Sequence, residues 1–102
     1  MNKRFLSIIT TNTPHSPFHD VPEALYQEYK KVDFSSFSVE PLGEKLHDKL
    51  RRIGAMITNI DDNVGTLFTF LKEQGLYENT IVIFLTDNGP NSLRYVGPYR
   101  GM

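Results

Sequence analysis

Two adjacent residues near the end of the chain, Asp87 and Asn88, have side chains that suit binding of a divalent cation. A carboxylate beside an amide carbonyl supplies hard oxygen ligands, which fit calcium or magnesium better than zinc. Gly89 follows them and lets the backbone turn sharply without steric cost. Asp, Asn, Gly and Pro are also common turn formers, so these residues alone leave a simple turn open beside a metal site.

His15 is the second residue with chemical potential, because it lies between Pro14 and Pro17, which restrict the path of the backbone. An imidazole changes charge near neutral pH, so it suits a general acid or an anion-binding group. A histidine in an ordinary surface loop is the alternative. His19 and His47 have weaker claims, and His47, in a charged helical stretch, is predicted to be solvated.

The remaining charged groups carry weaker functional signals. Asp61 and Asp62 are neighbours on a predicted helix, where adjacent side chains point about 100° apart and do not converge, so a structural role is predicted. Arg94 and Arg100 lie in a terminal loop and are weak candidates for holding an anionic substrate. Four cations of the long helical segment lie mostly off its apolar stripe and are predicted to form a solvated face: Lys45, Lys49, Arg51 and Arg52.

The hydrophobic pattern predicts the elements that would position these residues. Residues 5–11 and 80–86 are short, apolar and β-branched, which predicts two buried strands. The second is apolar on consecutive positions, as in a parallel sheet. Residues 22–31 suit a short helix with a proline at its start. Apolar residues recur every three or four positions over residues 44–74, which predicts a long amphipathic helix.

The order strand, short helix, long helix, strand predicts an α/β fold with a right-handed crossover if the strands are parallel. Gly75 occupies the position of a left-handed helix C-cap, with Leu76 as its apolar partner, and Gly54 allows a bend or break inside the long helix. Open α/β sheets bind ligands at the carboxyl ends of their strands. His15 and the Asp87–Asn88 pair are therefore expected to meet at one rim of the sheet.

Length and composition narrow the classes of protein. The chain has 102 residues, enough for one small domain, with 11 basic and 12 acidic residues and a net charge of -1. This balance offers no strong electrostatic case for nucleic acid or an anionic membrane as a partner. The absence of cysteine excludes disulfides, thiolate zinc sites and cysteine nucleophiles. The apolar stretch behind the basic start is too short for a signal peptide, and localisation stays open.

Four blocks of the sequence together resemble a sulfatase of the alkaline-phosphatase-like superfamily, and they are most similar to arylsulfatases. The blocks follow the order of the family and read NTPHSPF at 12–18, AMITNIDDNVG at 55–65, GLYENTIVIFLTDNG at 75–89 and GPYRGM at 97–102. The resemblance implies that residues 1–102 are a central part of the catalytic domain of a sulfuric ester hydrolase. It also implies a mostly parallel sheet that is incomplete as a domain.

The resemblance assigns roles to the residues singled out above. It implies that Asp87 and Asn88 are two ligands of a divalent cation, usually Ca²⁺ with Mg²⁺ as an alternative, which polarises the sulfate group. It implies that His15 is a catalytic and substrate-binding residue that contacts the sulfate ester near the leaving oxygen. Arg100 is a weaker candidate for binding the same substrate.

The sequence departs from the family pattern at several points. Sulfatases use a formylglycine made from the first residue of a C/S-x-P-S/T-R motif, and that motif does not occur in these 102 residues. The early aspartate pair that completes the metal site and the lysine of a Gly-x-Lys-Gly pattern are also absent. We therefore expect an internal segment of a longer enzyme that is inactive alone and that associates through uncovered sheet edges.

Two other interpretations stay open on the residues alone. A related phosphoesterase segment is one, although phosphatase-type members prefer Asp and His ligands for zinc or manganese, whereas an Asp-Asn pair favours a sulfatase. The other is a small non-catalytic module that uses its long amphipathic helix as a partner surface.

Overall fold

The computed structural model describes residues 3–37 and 41–90, which form helices and the segments that connect them. Two α-helices, α1 (Glu23–Tyr29) and α2 (Glu44–Glu73), are accompanied by two short 3-10 helices, Ser35–Phe37 and Tyr77–Asn79. Neither α-helix within these ranges combines the length and the hydropathy that a membrane crossing requires.

The predicted α/β arrangement of strand, helix, long helix and strand in a parallel sheet is wrong for the part of the chain that the structure describes. Neither residues 5–11 nor residues 80–86 form a strand, and no sheet is present within the described ranges. A strand is completed only when its backbone N–H and C=O groups pair with a neighbour. Residues 3–14 and 81–90 make no backbone–backbone hydrogen bond with any described residue. They therefore form no β-ladder, although their β-branched composition favours strands.

The side chains of these two segments remain largely exposed. Leu6 is 86% exposed and Ile81 is 90% exposed, and their apolar neighbours are between 46% and 79% exposed. The pattern of buried strands was therefore misleading, because burial of a strand needs a covering layer on each face as well as a suitable sequence. The described residues provide no covering layer on both faces of these consecutive apolar side chains.

Both helices were predicted close to their observed bounds. The interval 22–31 contains α1, with Pro22 at its N-cap, and the interval 44–74 contains α2. Gly54 does not break α2, which is continuous from Glu44 to Glu73. Between the two helices lies the 3-10 turn Ser35–Phe37, and residues 38–40 fall outside the described ranges.

The C-terminus of α2 is closed as the sequence predicted. Gly75 has a φ of 67°, the left-handed conformation that favours glycine. The N–H of Leu76 donates to the carbonyl of Leu71 over 2.8 Å, and the N–H of Gly75 donates to that of Lys72 over 3.0 Å. These two bonds form a Schellman motif, which satisfies carbonyl groups that the end of a helix leaves unpaired.

The small core lies where α1 crosses the first half of α2. Tyr26 of α1 is buried there, together with Leu50, Ile53, Ala55 and Met56 of α2. Leu71, in the last turn of α2, is also buried. Met56 is only 2% exposed, and burial of a side chain of this size contributes about 1.5–3 kcal/mol. Ile57 lies on the predicted apolar stripe but is exposed, because α1 covers only part of that stripe.

Gly54 sets the distance between the two helices. A Cβ atom at this position would lie 2.5 Å from Cε1 and 2.8 Å from Cδ1 of Tyr29. The Tyr29 ring is held in place on its other sides, since its hydroxyl is 2.7 Å from Oγ1 of Thr58 and its face stacks on Phe34. The absence of a side chain at position 54 therefore permits the close approach of α1.

We expect Gly54→Ala to destabilise the chain even though alanine is the better helix former. Alanine gains about 1 kcal/mol in helix propensity, but overpacking against a fixed ring costs about 1–3 kcal/mol. Thermal unfolding followed by circular dichroism at 222 nm should show a lower midpoint than that of the parent chain.

The matched control is Gly65→Ala in the same helix, where a Cβ would meet nothing within 4 Å. This substitution should raise the midpoint, because only the propensity gain of about 1 kcal/mol applies. Equal shifts for the two variants would show that Gly54 is not a contact point.

We propose that the exposed apolar segments 5–9 and 81–85 make the isolated chain self-associate, rather than the sheet edges predicted from sequence. Light scattering after size exclusion should show a mass that rises with concentration. Ile81→Lys and Ile83→Lys should lower that mass. Thr66→Lys, which adds the same charge at an exposed position of α2, should leave it unchanged, and a monomer at all concentrations would contradict the proposal.

Candidate functional site

His15 belongs to a segment, residues 9–19, that lies along α2 and forms a cleft with it on either side of His15. Residues 9–13 line one cleft, of about 370 Å³, together with the second half of α2 at Asn59, Asn63 and Leu67. Residues 17–19 line another cleft, of about 220 Å³, together with the first half of α2. The segment therefore runs antiparallel to the helix, and residue 15 falls between its two contact regions.

His15 is exposed and has one ring nitrogen occupied. Its Nδ1 lies 2.7 Å from the carbonyl oxygen of Ser16, which can only accept, so Nδ1 carries the proton of this bond. The other nitrogen, Nε2, makes no hydrogen bond with any residue in the described ranges. The imidazole is thus oriented by its neighbour and presents Nε2 to solvent.

A turn after His15 directs the chain back to α2. The N–H of Phe18 donates to the carbonyl of His15 over 3.2 Å, and Phe18 has a φ of 62°. A left-handed conformation is uncommon for a bulky residue and marks a tightly constrained turn. The ring of Phe18 is held by the ammonium group of Lys49, whose Nζ is 5.2 Å from the ring centroid.

Asp87 and Asn88 are both exposed and follow the second apolar segment. The amide nitrogen of Asn88 donates to the carbonyl of Gly89 over 2.8 Å, which leaves its Oδ1 without a partner among the described residues. The carboxylate of Asp87 likewise makes no hydrogen bond or ion pair within those ranges. Both residues therefore present an oxygen atom of the type that binds hard cations.

No hydrogen bond or ion pair joins His15 to Asp87 or Asn88 within residues 3–37 and 41–90. No group of three His, Asp or Glu side chains in these ranges is placed to hold a metal ion. The expected meeting at the rim of a sheet has no basis here, because the sheet itself is absent from them. Arg94 and Arg100 lie outside the described residues.

The best-formed polar cluster joins the two helices and was not predicted from sequence. The Tyr26 hydroxyl donates to Oδ1 of Asp48, and Nε of Arg52 donates to Oδ2 of the same carboxylate over 2.9 Å. The guanidinium carbon of Arg52 lies 4.3 Å from the Tyr26 ring centroid. The spacing of four residues between Asp48 and Arg52 could have indicated their ion pair from the sequence. The contact with Tyr26 could not be predicted in this way, because Tyr26 is 22 positions from Asp48.

These bonds shift the pKa values of both partners in opposite directions. The hydrogen bond from Tyr26, followed by that from Arg52, lowers the pKa of Asp48 below its ordinary value. The hydrogen bond to Asp48, with burial next, raises the pKa of Tyr26 above its ordinary value. The cluster is therefore most favourable when the carboxylate is ionised and the phenol is protonated.

His47 is not solvated as predicted but takes part in holding the loop after α1. Its Nε2 accepts a hydrogen bond of 2.9 Å from the backbone N–H of Phe34, and its side chain is 16% exposed. Asp33 closes the same turn, because its Oδ1 accepts bonds from the N–H and the hydroxyl of Ser35. These bonds from Ser35 lower the pKa of Asp33.

Comparison with known proteins supplies what the geometry alone does not. The family model described as "Sulfatase" matches residues 2–101. The chain belongs to the sulfatase family. This sulfatase chain is 33% identical over 93 residues to the endo-4-O-sulfatase of Bacteroides thetaiotaomicron, an alignment that covers 85% of the chain and 18% of that relative.

Other sulfatases show similar agreement. Human arylsulfatase A is 35% identical over 75 residues, which cover 74% of the chain and 14% of that protein. The arylsulfatase of Klebsiella aerogenes is 42% identical over 55 residues, or 53% of the chain and 12% of that enzyme. The sulfatase chain thus spans less than a fifth of the length of these curated relatives. No solved structure shows significant similarity to it.

The cluster around Asp48 should make the stability of the chain depend on pH at both extremes. Because the folded pKa of Asp48 is lowered, its contribution is complete above the ordinary aspartate value of about 3.9 and is lost as pH falls further. Because the folded pKa of Tyr26 is raised, its contribution is complete below about 10 and is lost as pH rises through the higher value.

The pH dependence of stability is measured as the helix signal in circular dichroism at 222 nm, from acid to alkaline pH. Tyr26→Phe should reduce the loss of helix at alkaline pH, and Asp48→Asn should reduce the loss at acid pH. Some acid loss should remain in Asp48→Asn, because the pKa of Asp33 is also lowered in the folded chain. Asp62→Asn, at an exposed position of α2, should lose helix at acid and at alkaline pH to the same extent as the parent chain. If Tyr26→Phe lost helix at alkaline pH to the same extent as the parent chain, this result would contradict the role of the Tyr26 hydroxyl.

Proposed function

We propose that this chain is the segment of a sulfuric ester hydrolase that supplies a substrate-binding histidine, His15, and two cation ligands, Asp87 and Asn88. The observation that carries the proposal is the match of the sulfatase family model over residues 2–101. The exposed nitrogen of His15 and the oxygens of the other two residues support it, because none of these atoms has a hydrogen-bonding partner within residues 3–37 and 41–90.

In this proposal His15 acts on the sulfate ester through Nε2. The bond from Nδ1 to the carbonyl of Ser16 fixes the plane of the ring and the tautomer, so that a proton on Nε2 requires the imidazolium form. That form donates a hydrogen bond to an ester oxygen. When a nucleophile from elsewhere in the enzyme forms a bond to sulfur, the bond between sulfur and the ester oxygen breaks. The same proton passes to that oxygen, which departs as an alcohol or phenol.

Asp87 and Asn88 fit a hard cation by the type of their donors. A carboxylate and an amide carbonyl are ligands that calcium and magnesium accept, but calcium takes six to eight oxygens and two residues do not complete its shell. A bound cation would withdraw charge from the sulfate oxygens. The Asn88 amide is held by its bond to the carbonyl of Gly89, which leaves Oδ1 to face such an ion.

The nucleophile of the reaction is not among these residues. The chain contains no cysteine and no C/S-x-P-S/T-R motif from which a formylglycine is made. We therefore assign turnover to a longer enzyme that contains this segment, and we expect the chain alone to release no sulfate from an aryl sulfate.

A chimera tests the assignment directly. The matching stretch of the Bacteroides thetaiotaomicron endo-4-O-sulfatase is replaced by that of this chain, and release of sulfate from the substrate of that enzyme is measured by ion chromatography. We expect the chimera to be active. His15→Ala should lower kcat about 10²–10⁴-fold, the range for loss of a proton-transfer group. Asp87→Asn should lower activity and raise the Ca²⁺ concentration that half-maximal activity requires.

Asp62→Asn is the control for Asp87→Asn, because it removes the charge of another exposed aspartate and should leave the activity unchanged. Hydrolysis of the corresponding phosphate ester is measured in parallel, and faster release of phosphate would favour the phosphoesterase interpretation. A folded chimera with full activity after His15→Ala would contradict the role of the histidine.

A further inference from the structure

The smaller cleft beside α2 is lined by cations that the proposed activity does not use. One wall is formed by residues 17–19, and the other by Lys45, Asp48, Lys49 and Arg52. The three cations follow a spacing of four and then three along α2, which places them on one side of the helix. Sequence patterning had assigned them to a solvated face, whereas the turn after His15 brings a second segment over them.

The positive charge of the cleft is not cancelled by its own carboxylate. Both oxygens of Asp48 are occupied, one by the Tyr26 hydroxyl and one by Nε of Arg52. Lys45 and Lys49 form no ion pair within residues 3–37 and 41–90. Three cations and one carboxylate give the cleft a net charge of +2 with His19 neutral.

The shape of the cleft fits an anion attached to a larger group. Its volume is about 220 Å³, and Pro17 and Phe18 add apolar surface to its lining. The Lys49 ammonium lies over the Phe18 ring and is thereby held at the edge of the cleft. An ammonium pair four residues apart beside an imidazole can surround the oxygens of a single acidic group with charge-assisted donors.

We propose that this cleft is a binding site for a sulfate-type oxyanion, contacted by Lys45, Lys49 and His19. Arg52 adds its charge through its terminal nitrogens, which make no hydrogen bond with the described residues. The site differs from the one proposed at His15, since it involves neither His15 nor the Asp87–Asn88 pair. Free sulfate and a sulfate group on a saccharide share the chemistry that the cleft recognises.

Lysine acetylation followed by mass spectrometry tests the site on the whole chain. N-hydroxysuccinimidyl acetate is applied in sodium sulfate and in sodium chloride of equal ionic strength, and again in glucose 6-sulfate and in glucose. At an anion concentration of twice Kd, acetylation of Lys45 and Lys49 should slow about threefold. Lys3 and Lys31, exposed and outside the cleft, are internal controls whose rates should not change.

Lys49→Gln should abolish the protection of Lys45, whereas Lys31→Gln, with the same loss of charge, should preserve it. Protection by both sulfates shows that the oxyanion alone suffices, and protection by the sugar sulfate alone shows that the carrier is needed; both results support the site. Equal slowing at all lysines, or no slowing in any arm, would overturn it. The assay does not involve turnover, so its outcome is independent of the proposed hydrolysis.

Discussion

A single carboxylate, that of Asp48, forms a polar link between the two α-helices. It accepts the Tyr26 hydroxyl from α1 and Nε of Arg52 from its own helix, so it joins a neighbouring element and satisfies a cation with one side chain. The approach of α1 that makes this contact possible depends on Gly54, since any larger residue would meet the Tyr29 ring. The hydrogen bond between Asp48 and Tyr26 and the lack of a side chain at Gly54 thus together define the interface between α1 and α2.

The proposed functional residues lie outside the small core between the helices. The residues proposed to bind the substrate and the cation, His15 and the Asp87–Asn88 pair, lie on exposed segments that flank the helices rather than within them. His15 and Asn88 are each oriented locally, by a bond to the carbonyl of the residue that follows, whereas Asp87 makes no such bond within the described ranges. Local orientation of this kind prepares a side chain for a ligand, but it does not bring distant residues together, which requires surrounding structure.

The sequence predicted local features well and long-range features poorly. Both α-helices and the Gly75 cap follow from periodicity and backbone preference, which act over a few residues and are present in any fold. The two strands could not follow from the same reasoning, because residues 5–11 and 80–86 need a hydrogen-bonding neighbour that the described residues do not provide. The Tyr26 bridge was missed for a related reason: its partner is on another helix, and no periodicity relates them. The site residues came from four blocks read together, since each dipeptide alone was also compatible with a turn.

The distribution of buried residues along α2 has a consequence for its motions. Four of its five buried residues lie between positions 50 and 56, and only Leu71 anchors the remaining turns, beside the edge-on contact of Phe68 with Tyr77. Local opening of a helix costs less free energy where fewer apolar contacts must be broken. Amide hydrogens of the second half should therefore exchange with solvent through fraying that leaves the first half intact. A ligand bound over residues 45–52 would contact the more densely packed half of the helix, and one bound beyond residue 60 would contact the half that opens at a lower free-energy cost.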